Sequence, residues 1–249
     1  RLCSLLLLAG SIAAHAHAAQ TPTTLDTPTG QLAGTLELPA GADKPRVALL
    51  IAGSGPTDRD GNSSMIPGRN DSLKLLAAGL ADAGIATVRY DKRGIGDSHA
   101  AGSAESALRF EMFVDDAAAW IARLKTDPRF ASVAVIGHSE GSLIGMLAAR
   151  QADAAAFVSI AGIADGASTL MRKQLEGKLP PELEKESERI LVSLESGVVV
   201  DPVPPALATL FRPSVQPYLI SWFKYVPAQR IAELTMPVLV VQGNTDIQV

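Results

Sequence analysis

The stretch VAVIGHSEGSLIG, residues 133–145, decides the fold. Its first residues form the continuous apolar run of a strand buried on both faces, and its last residues begin a helix. Between them lies Gly137-His138-Ser139-Glu140-Gly141, a G-x-S-x-G motif at the corner from strand to helix. Such a sharp turn requires glycine at 137 and 141 and exposes the hydroxyl of Ser139 at the helix start. Ser139 is therefore the candidate nucleophile.

Two backbone N–H groups are predicted to stabilise negative charge that develops beside Ser139. The first belongs to Glu140, which follows the serine on the turn. The second is expected after the buried strand RVALLIAG, where Gly-Ser-Gly at 53–55 lets the main chain approach a ligand closely. The N–H of Ser54 is the predicted donor. We exclude a dinucleotide-binding loop, because Pro56 follows and no helix opens there.

The composition fits one sizeable α/β domain. The 249 residues are 47% hydrophobic and 19% charged, with a formal net charge of -4. Strand-like and helix-like stretches alternate, which indicates a mostly parallel, doubly wound sheet covered by helices on both faces. The charge balance and the lack of a long basic run argue against a nucleic-acid binder. We predict neither a metal site nor a cofactor.

The alternation is interrupted over residues 164–235. This segment has helical periodicity, the proline-rich link DPVPP and the aromatic run PSVQPYLISWFKY. It predicts a helical cap inserted between the first part of the core, 19–163, and its continuation, 236–249. Tyr218, Trp222 and Phe223 include positions that share one helix face, and this spacing fits either a substrate pocket or plain core packing.

Residues 1–18 have the pattern of a signal peptide. A positive charge at Arg1 precedes an apolar run that is too short to span a membrane, and Ala16-His17-Ala18 predicts cleavage near Ala18. We therefore expect an exported protein, periplasmic or secreted, without stable membrane insertion. Cys3 is the only cysteine and leaves with the signal, so the remaining chain can form no internal disulfide.

Three motifs resemble those of the α/β-hydrolase superfamily, and within it the serine esterases and aminopeptidase-like hydrolases. They are GSGPTDRDGN at 53–62, RYDKRGIGDS at 89–98 and GHSEG at 137–141, and the similarity extends over about residues 25–249. In such enzymes the nucleophile, the acid and the histidine follow in that order. The resemblance implies Asp246, in QGNTD after a late strand, as the acid. An ordinary Asx-turn role for Asp246 is the alternative.

The catalytic histidine is sought by elimination among four histidines. His15 and His17 lie in the predicted signal peptide. His138 stands beside the serine, where we expect its ring to pack or to hydrogen-bond beneath the turn. His99 precedes the acid and is out of order for this family. We therefore expect the catalytic histidine beyond Val249, in a sequence truncated at both ends.

Two charged clusters are expected to fix loops near the site by ion pairing rather than to take part in chemistry. Asp91, Lys92 and Arg93 follow a buried strand, and residues 58–60 follow the Gly-Ser-Gly turn.

The resemblance implies an exported serine hydrolase that cleaves a carboxylic ester or thioester of a small substrate through an acyl-enzyme on Ser139. Two alternatives stay open. One is a serine aminopeptidase-like peptidase, in which acidic residues within 165–195 attract a free amine. The other is a non-catalytic binding protein on the hydrolase fold. The expected partner is a small-molecule ester, and the sequence predicts no oligomeric state.

Overall fold

A seven-stranded mixed sheet forms the centre of the computed structural model, which describes residues 18–246. The strand order is β1-β2-β4-β3-β5-β6-β7; β3 to β7 are parallel, whereas β2 runs antiparallel to both β1 and β4. The strands are β1 (Ala19–Thr27), β2 (Gly30–Leu38), β3 (Val47–Ile51), β4 (Ala86–Tyr90), β5 (Val133–His138), β6 (Ala156–Ile160) and β7 (Val238–Val241).

Helices cover both faces of this sheet, as the side chains of the central strand β3 demonstrate. Leu49 and Ile51 belong to the larger core cluster, together with residues of α2 (Phe110–Thr126) and α3 (Glu140–Gln151). Leu50 points into a second cluster, with residues of α1 (Ser72–Asp82). Successive strand residues face opposite sides, so an all-apolar strand must be buried from both. The predicted doubly wound α/β architecture is confirmed.

The chain between β6 and β7 is helical. Its helices are α4 (Ala167–Leu175), α5 (Pro181–Glu195), α6 (Ala208–Phe211), α7 (Gln216–Trp222) and α8 (Pro227–Ile231).

The aromatic side chains of α7 pack on α2. The ring of Trp222, 8% exposed, is stacked on Phe110 with centroids 6.0 Å apart, and Tyr218 meets Phe113 edge-on at 5.8 Å. The N–H of Phe110 also donates to Ser221 Oγ at 2.7 Å. Of the two interpretations of this aromatic run, core packing is therefore the one that the contacts favour.

The strand β1 was not predicted, because the sequence from Gln20 to Gly30 is polar. The strand pairs along its whole length with β2, from Ala19 opposite Leu38 to Thr27 opposite Gly30. It lies at the sheet edge and is largely exposed, so it needs little apolar alternation to form. Its stability comes from the ladder to β2 rather than from side-chain burial.

The predicted signal peptide, with Cys3, His15 and His17, lies almost wholly outside the described residues. Over residues 18–246, the structure contains no helix of the length and apolarity that a membrane span requires.

Candidate active site

Ser139 occupies a strained corner between β5 and α3. Its backbone has φ 53° and ψ -123°, a conformation that non-glycine residues rarely adopt and that concentrates at functional sites. A Cβ on Gly137 would lie 2.1 Å from the Gly141 carbonyl oxygen, and one on Gly141 would lie 2.4 Å from the Ile51 carbonyl oxygen. Only glycine fits at either position. The N–H of Ser139 donates to the Ile160 carbonyl at 2.9 Å and so ties the corner to β6.

A cavity of about 560 Å³ opens at this corner. One side consists of His138 and Ser139 together with Gly53 and Ser54, from the turn after β3. The rest is formed by the loop that leads into α1 and by the first residues of α1; the lining residues are Thr57, Gly61, Asn62, Ser63, Ile66, Pro67, Gly68, Arg69, Asn70, Ser72 and Leu73. The nucleophile candidate therefore faces a space large enough for a small substrate.

The two predicted N–H donors belong to segments that adjoin Ser139. Glu140 is the first residue of α3, so its N–H is one of those without an acceptor in its own helix. The turn with Ser54 is in contact with the serine, because a Cβ on Gly53 would lie 3.3 Å from Ser139 Cβ. Within residues 18–246, the N–H of Ser54 makes no backbone hydrogen bond. Both donors are thus available to a ligand oxygen.

Asp246 follows β7 and lies near the elbow. Its Oδ2 accepts from Gln242 Nε2 at 3.1 Å, and its N–H donates to the Gly243 carbonyl at 3.3 Å. Its charge acts on His138: burial lowers the pKa of His138, and the Asp246 carboxylate partly offsets that shift. The Gly243 contact is a main-chain turn bond, and the effect on His138 places the Asp246 carboxylate within electrostatic range of the elbow.

The position expected for His138 is wrong. Its side chain lines the cavity and keeps part of its surface exposed, although its surroundings partly desolvate the ring, whereas the sequence suggested a place beneath the turn. The ring lies beside the Gly53 turn, where a Cβ on Gly53 would approach His138 Nδ1 to 3.1 Å. His99 lies in a 3₁₀ turn, Gly96–Ala101, is exposed and does not line this cavity.

Comparison with known proteins identifies the family. The model of the hydrolase family described as serine aminopeptidase, S33, matches residues 67–194. The chain belongs to this family of α/β hydrolases. It is also 29% identical over 219 residues to esterase EstD of Thermotoga maritima, an alignment that covers 88% of this chain and 50% of EstD. The chain thus spans about half the length of that curated relative.

Solved structures agree on the fold of this α/β-hydrolase family member. Est1E from Butyrivibrio proteoclasticus, with ferulic acid bound, superposes with a TM-score of 0.64 at 20% identity, over 91% of this chain and 80% of Est1E. The α/β hydrolase GrgF from Penicillium superposes with a TM-score of 0.61 at 21% identity, over 92% of this chain and 82% of GrgF. At such identities the likeness establishes the architecture alone.

Buried ion pairs hold the loops around the elbow. Arg93 Nε donates to Asp116 of α2 at 2.8 Å, and Asp91 accepts from both the N–H and the guanidinium of Arg59, at 2.7 and 3.1 Å. Lys92 Nζ donates to Glu140 Oε2 at 2.9 Å. All three residues of the Asp91-Lys92-Arg93 run are buried, as expected of charges that fix loops.

The turn after β3 is braced by its own acidic residues. Asp58 Oδ1 accepts the N–H groups of Asp60 and Asn62, at 2.9 and 2.8 Å. Asp60 Oδ1 in turn accepts from Arg89 Nε of β4 at 2.9 Å. These contacts fix the loop that forms most of the cavity wall.

Two features of the site were missed from the sequence. The loop over residues 63–70 lines the cavity, although nothing in its sequence marks it as functional. Tyr218 of α7 donates its hydroxyl to Glu140, 78 positions away in the chain, and a contact of that kind has no local signature. Within the described part of the chain, no group of three or more His, Cys, Asp or Glu side chains could hold a metal ion.

Proposed function

We propose that this protein is a serine hydrolase that cleaves a carboxylic ester, or thioester, of a small molecule through an acyl-enzyme on Ser139. The observation that carries the proposal is the strained Ser139 corner, which lines the cavity together with Ser54 and directly precedes Glu140 at the start of α3. Preorganised donors at the site of developing charge are a large source of rate in acyl transfer.

In this mechanism the Ser139 oxygen attacks the substrate carbonyl carbon, and the carbonyl oxygen becomes an oxyanion held by the two N–H groups. The tetrahedral intermediate expels the alcohol, or thiol, and leaves an ester on Ser139. Water then attacks that ester, and the carboxylic acid is released. The serine must lose its proton during attack, so a general base is required.

We propose that Asp246 orients a histidine base that is neither His99 nor His138. Asp246 lies on the turn after β7, where its family role requires the acid. The two histidines in the described residues fit the role of general base poorly, because His99 does not line the cavity and His138 is the neighbour of Ser139 on the same turn. Replacing either by glutamine should leave an active enzyme if a third histidine is the base.

The cavity favours a neutral substrate. Arg69 contributes a charge to its lining, but the guanidinium is shared between Asp60 and Asp71, at 3.3 and 3.0 Å. The remaining lining is a mixture of glycine, small polar side chains and a few apolar ones. Such a surface suits an uncharged ester better than a charged carboxylate, because the arginine is already paired.

A peptidase is the second candidate, since the family description is serine aminopeptidase. The acidic residues that a peptidase would use to attract a free amine are mostly engaged, however. Arg172 binds Glu188 and Glu195, and Lys173 binds Asp165. None of these residues lines the cavity at Ser139. An ester substrate is therefore preferred here, and export from the cell, proposed from residues 1–18, is compatible with either activity.

The test compares the natural protein with its Ser139→Ala variant on p-nitrophenyl acetate and butyrate and on aminoacyl p-nitroanilides. We expect ester turnover to fall by about 10³-fold or more in Ser139→Ala, with unchanged circular dichroism. Turnover of the anilides but not the esters would favour the peptidase. Binding without turnover in the natural protein would favour a non-catalytic binding protein.

A further inference from the structure

We propose that Lys92 is a positioning residue that holds both oxyanion donors in place; the inference rests on the proposed hydrolase function. Lys92 lies just after β4 and is 3% exposed. Its ammonium donates to the Gly53 carbonyl oxygen at 2.6 Å and to Glu140 Oε2 at 2.9 Å. One cation therefore touches the two segments that carry the donors.

The contact to Gly53 orients the Ser54 donor directly. The carbonyl of Gly53 and the N–H of Ser54 belong to the same peptide unit, which is planar and, when trans, directs the two groups in opposite senses. An ammonium that donates a hydrogen bond to the Gly53 carbonyl oxygen therefore holds the Ser54 N–H so that it points in the opposite direction. The hydrogen bond also polarises the peptide and makes its N–H a stronger donor.

The contact to Glu140 fixes the second donor. The Glu140 side chain is buried, and its two carboxylate oxygens are bound separately, Oε2 by Lys92 and Oε1 by the Tyr218 hydroxyl from α7. With its side chain held at both oxygens, the start of α3 cannot shift without breaking a buried charge contact. Lys92 also lies over the ring of Phe113, 5.6 Å from its centroid.

Lys92 makes a contact that a structural ion pair does not require. Arg93, the next residue, is also buried and also paired with one carboxylate, that of Asp116, but it contacts neither donor segment. The Arg93–Asp116 pair is therefore a structural ion pair only. The additional bond from Lys92 to a main-chain carbonyl of the oxyanion turn is what assigns it a role in the site.

The experiment compares Lys92→Met with Arg93→Met, its matched control, in the complete natural protein. For Lys92→Met we expect kcat on p-nitrophenyl butyrate to fall by about 10- to 100-fold, less than the ~10²- to 10³-fold that accompanies loss of a whole donor. KM should change by less than about threefold, because the donors act on the transition state. The affinity for an aryl boronic acid should fall in parallel with kcat. Arg93→Met should keep kcat within about threefold wherever it is folded.

A double variant, Lys92→Met with Glu140→Gln, separates positioning from stability. It leaves no unpaired buried charge, so it should unfold at higher urea than Lys92→Met alone, whereas kcat should stay low. Recovery of kcat together with stability would overturn the proposal, as would wild-type kcat and boronate affinity in folded Lys92→Met. A double variant that cannot fold would also overturn it, since Lys92 would then serve folding alone. If Ser139→Ala keeps the natural rate, the proposed function itself fails; if only the Lys92 variants do, this inference alone fails.

Discussion

Replacing Gly141 by alanine should damage the site through a single methyl group. The Cβ of alanine would lie 2.4 Å from the Ile51 carbonyl oxygen and 2.5 Å from that of Ala52. Contacts below 3.0 Å essentially never occur, so main chain must move by at least 0.6 Å to relieve the first clash. Ile51 ends β3 and leads into the turn with Ser54, so this movement separates an oxyanion donor from Ser139.

The expected losses follow from that displacement. A misplacement of about 1 Å at a reacting centre costs about 10²-fold in rate, so we expect kcat to fall by ~10- to 100-fold in Gly141→Ala. Overpacking of a tight site costs about 1 to 3 kcal/mol of unfolding free energy. In a chain of this size each kcal/mol lowers Tm by about 2 to 4 °C.

The assay is p-nitrophenyl butyrate turnover at 25 °C, combined with urea unfolding followed by circular dichroism. The matched control is Gly79→Ala in α1, where a new Cβ would meet nothing within 4 Å. That substitution should stabilise the protein by about 0.5 to 1 kcal/mol, since alanine is the better helix former, and should leave kcat unchanged. Natural kcat and natural stability in Gly141→Ala would refute the steric argument for the elbow.

Three further predictions concern charged groups. Asp246→Asn should lower kcat by about 10²-fold or more without changing the fold, measured as ester turnover. Partial burial lowers the pKa of His138, so the free energy of unfolding should fall as pH drops below the ordinary histidine pKa and should stop falling below the lowered pKa. Urea unfolding of His138→Gln between pH 7 and 5 should show no such loss of stability. Hydrogen bonds from Arg212 and Ser214 lower the pKa of Glu105, so the stability that it contributes is present above the ordinary glutamate pKa and is lost as pH falls through the lowered value. Glu105→Gln should therefore be less stable than the natural protein at pH 7 and lose less stability on acidification, as measured by urea unfolding.

The elbow could be predicted from sequence because its requirements are local. A buried strand, two glycines and a helix start lie within thirteen residues, and each residue type has a steric reason to be there. The parallel sheet follows in the same way, from apolar runs that alternate with helical periodicity.

The remaining features depend on contacts between distant segments. The edge strand β1 is stabilised by its ladder to β2, and its polar sequence does not predict this pairing. His138 lies beside Gly53, which is 85 positions earlier in the chain. The Tyr218–Glu140 contact occurs where α7 packs on α2. None of these arrangements has a signature within a short window of sequence.

Covalent labelling of Ser139 tests the central claim most directly. A fluorophosphonate should react once per molecule of the natural protein, and digestion followed by mass spectrometry should find the adduct on the peptide that contains GHSEG. The label should be absent from Ser139→Ala and slowed in Gly141→Ala, but unchanged in Gly79→Ala. An adduct on a different serine, or equal labelling of Ser139→Ala, would contradict the assignment of the nucleophile.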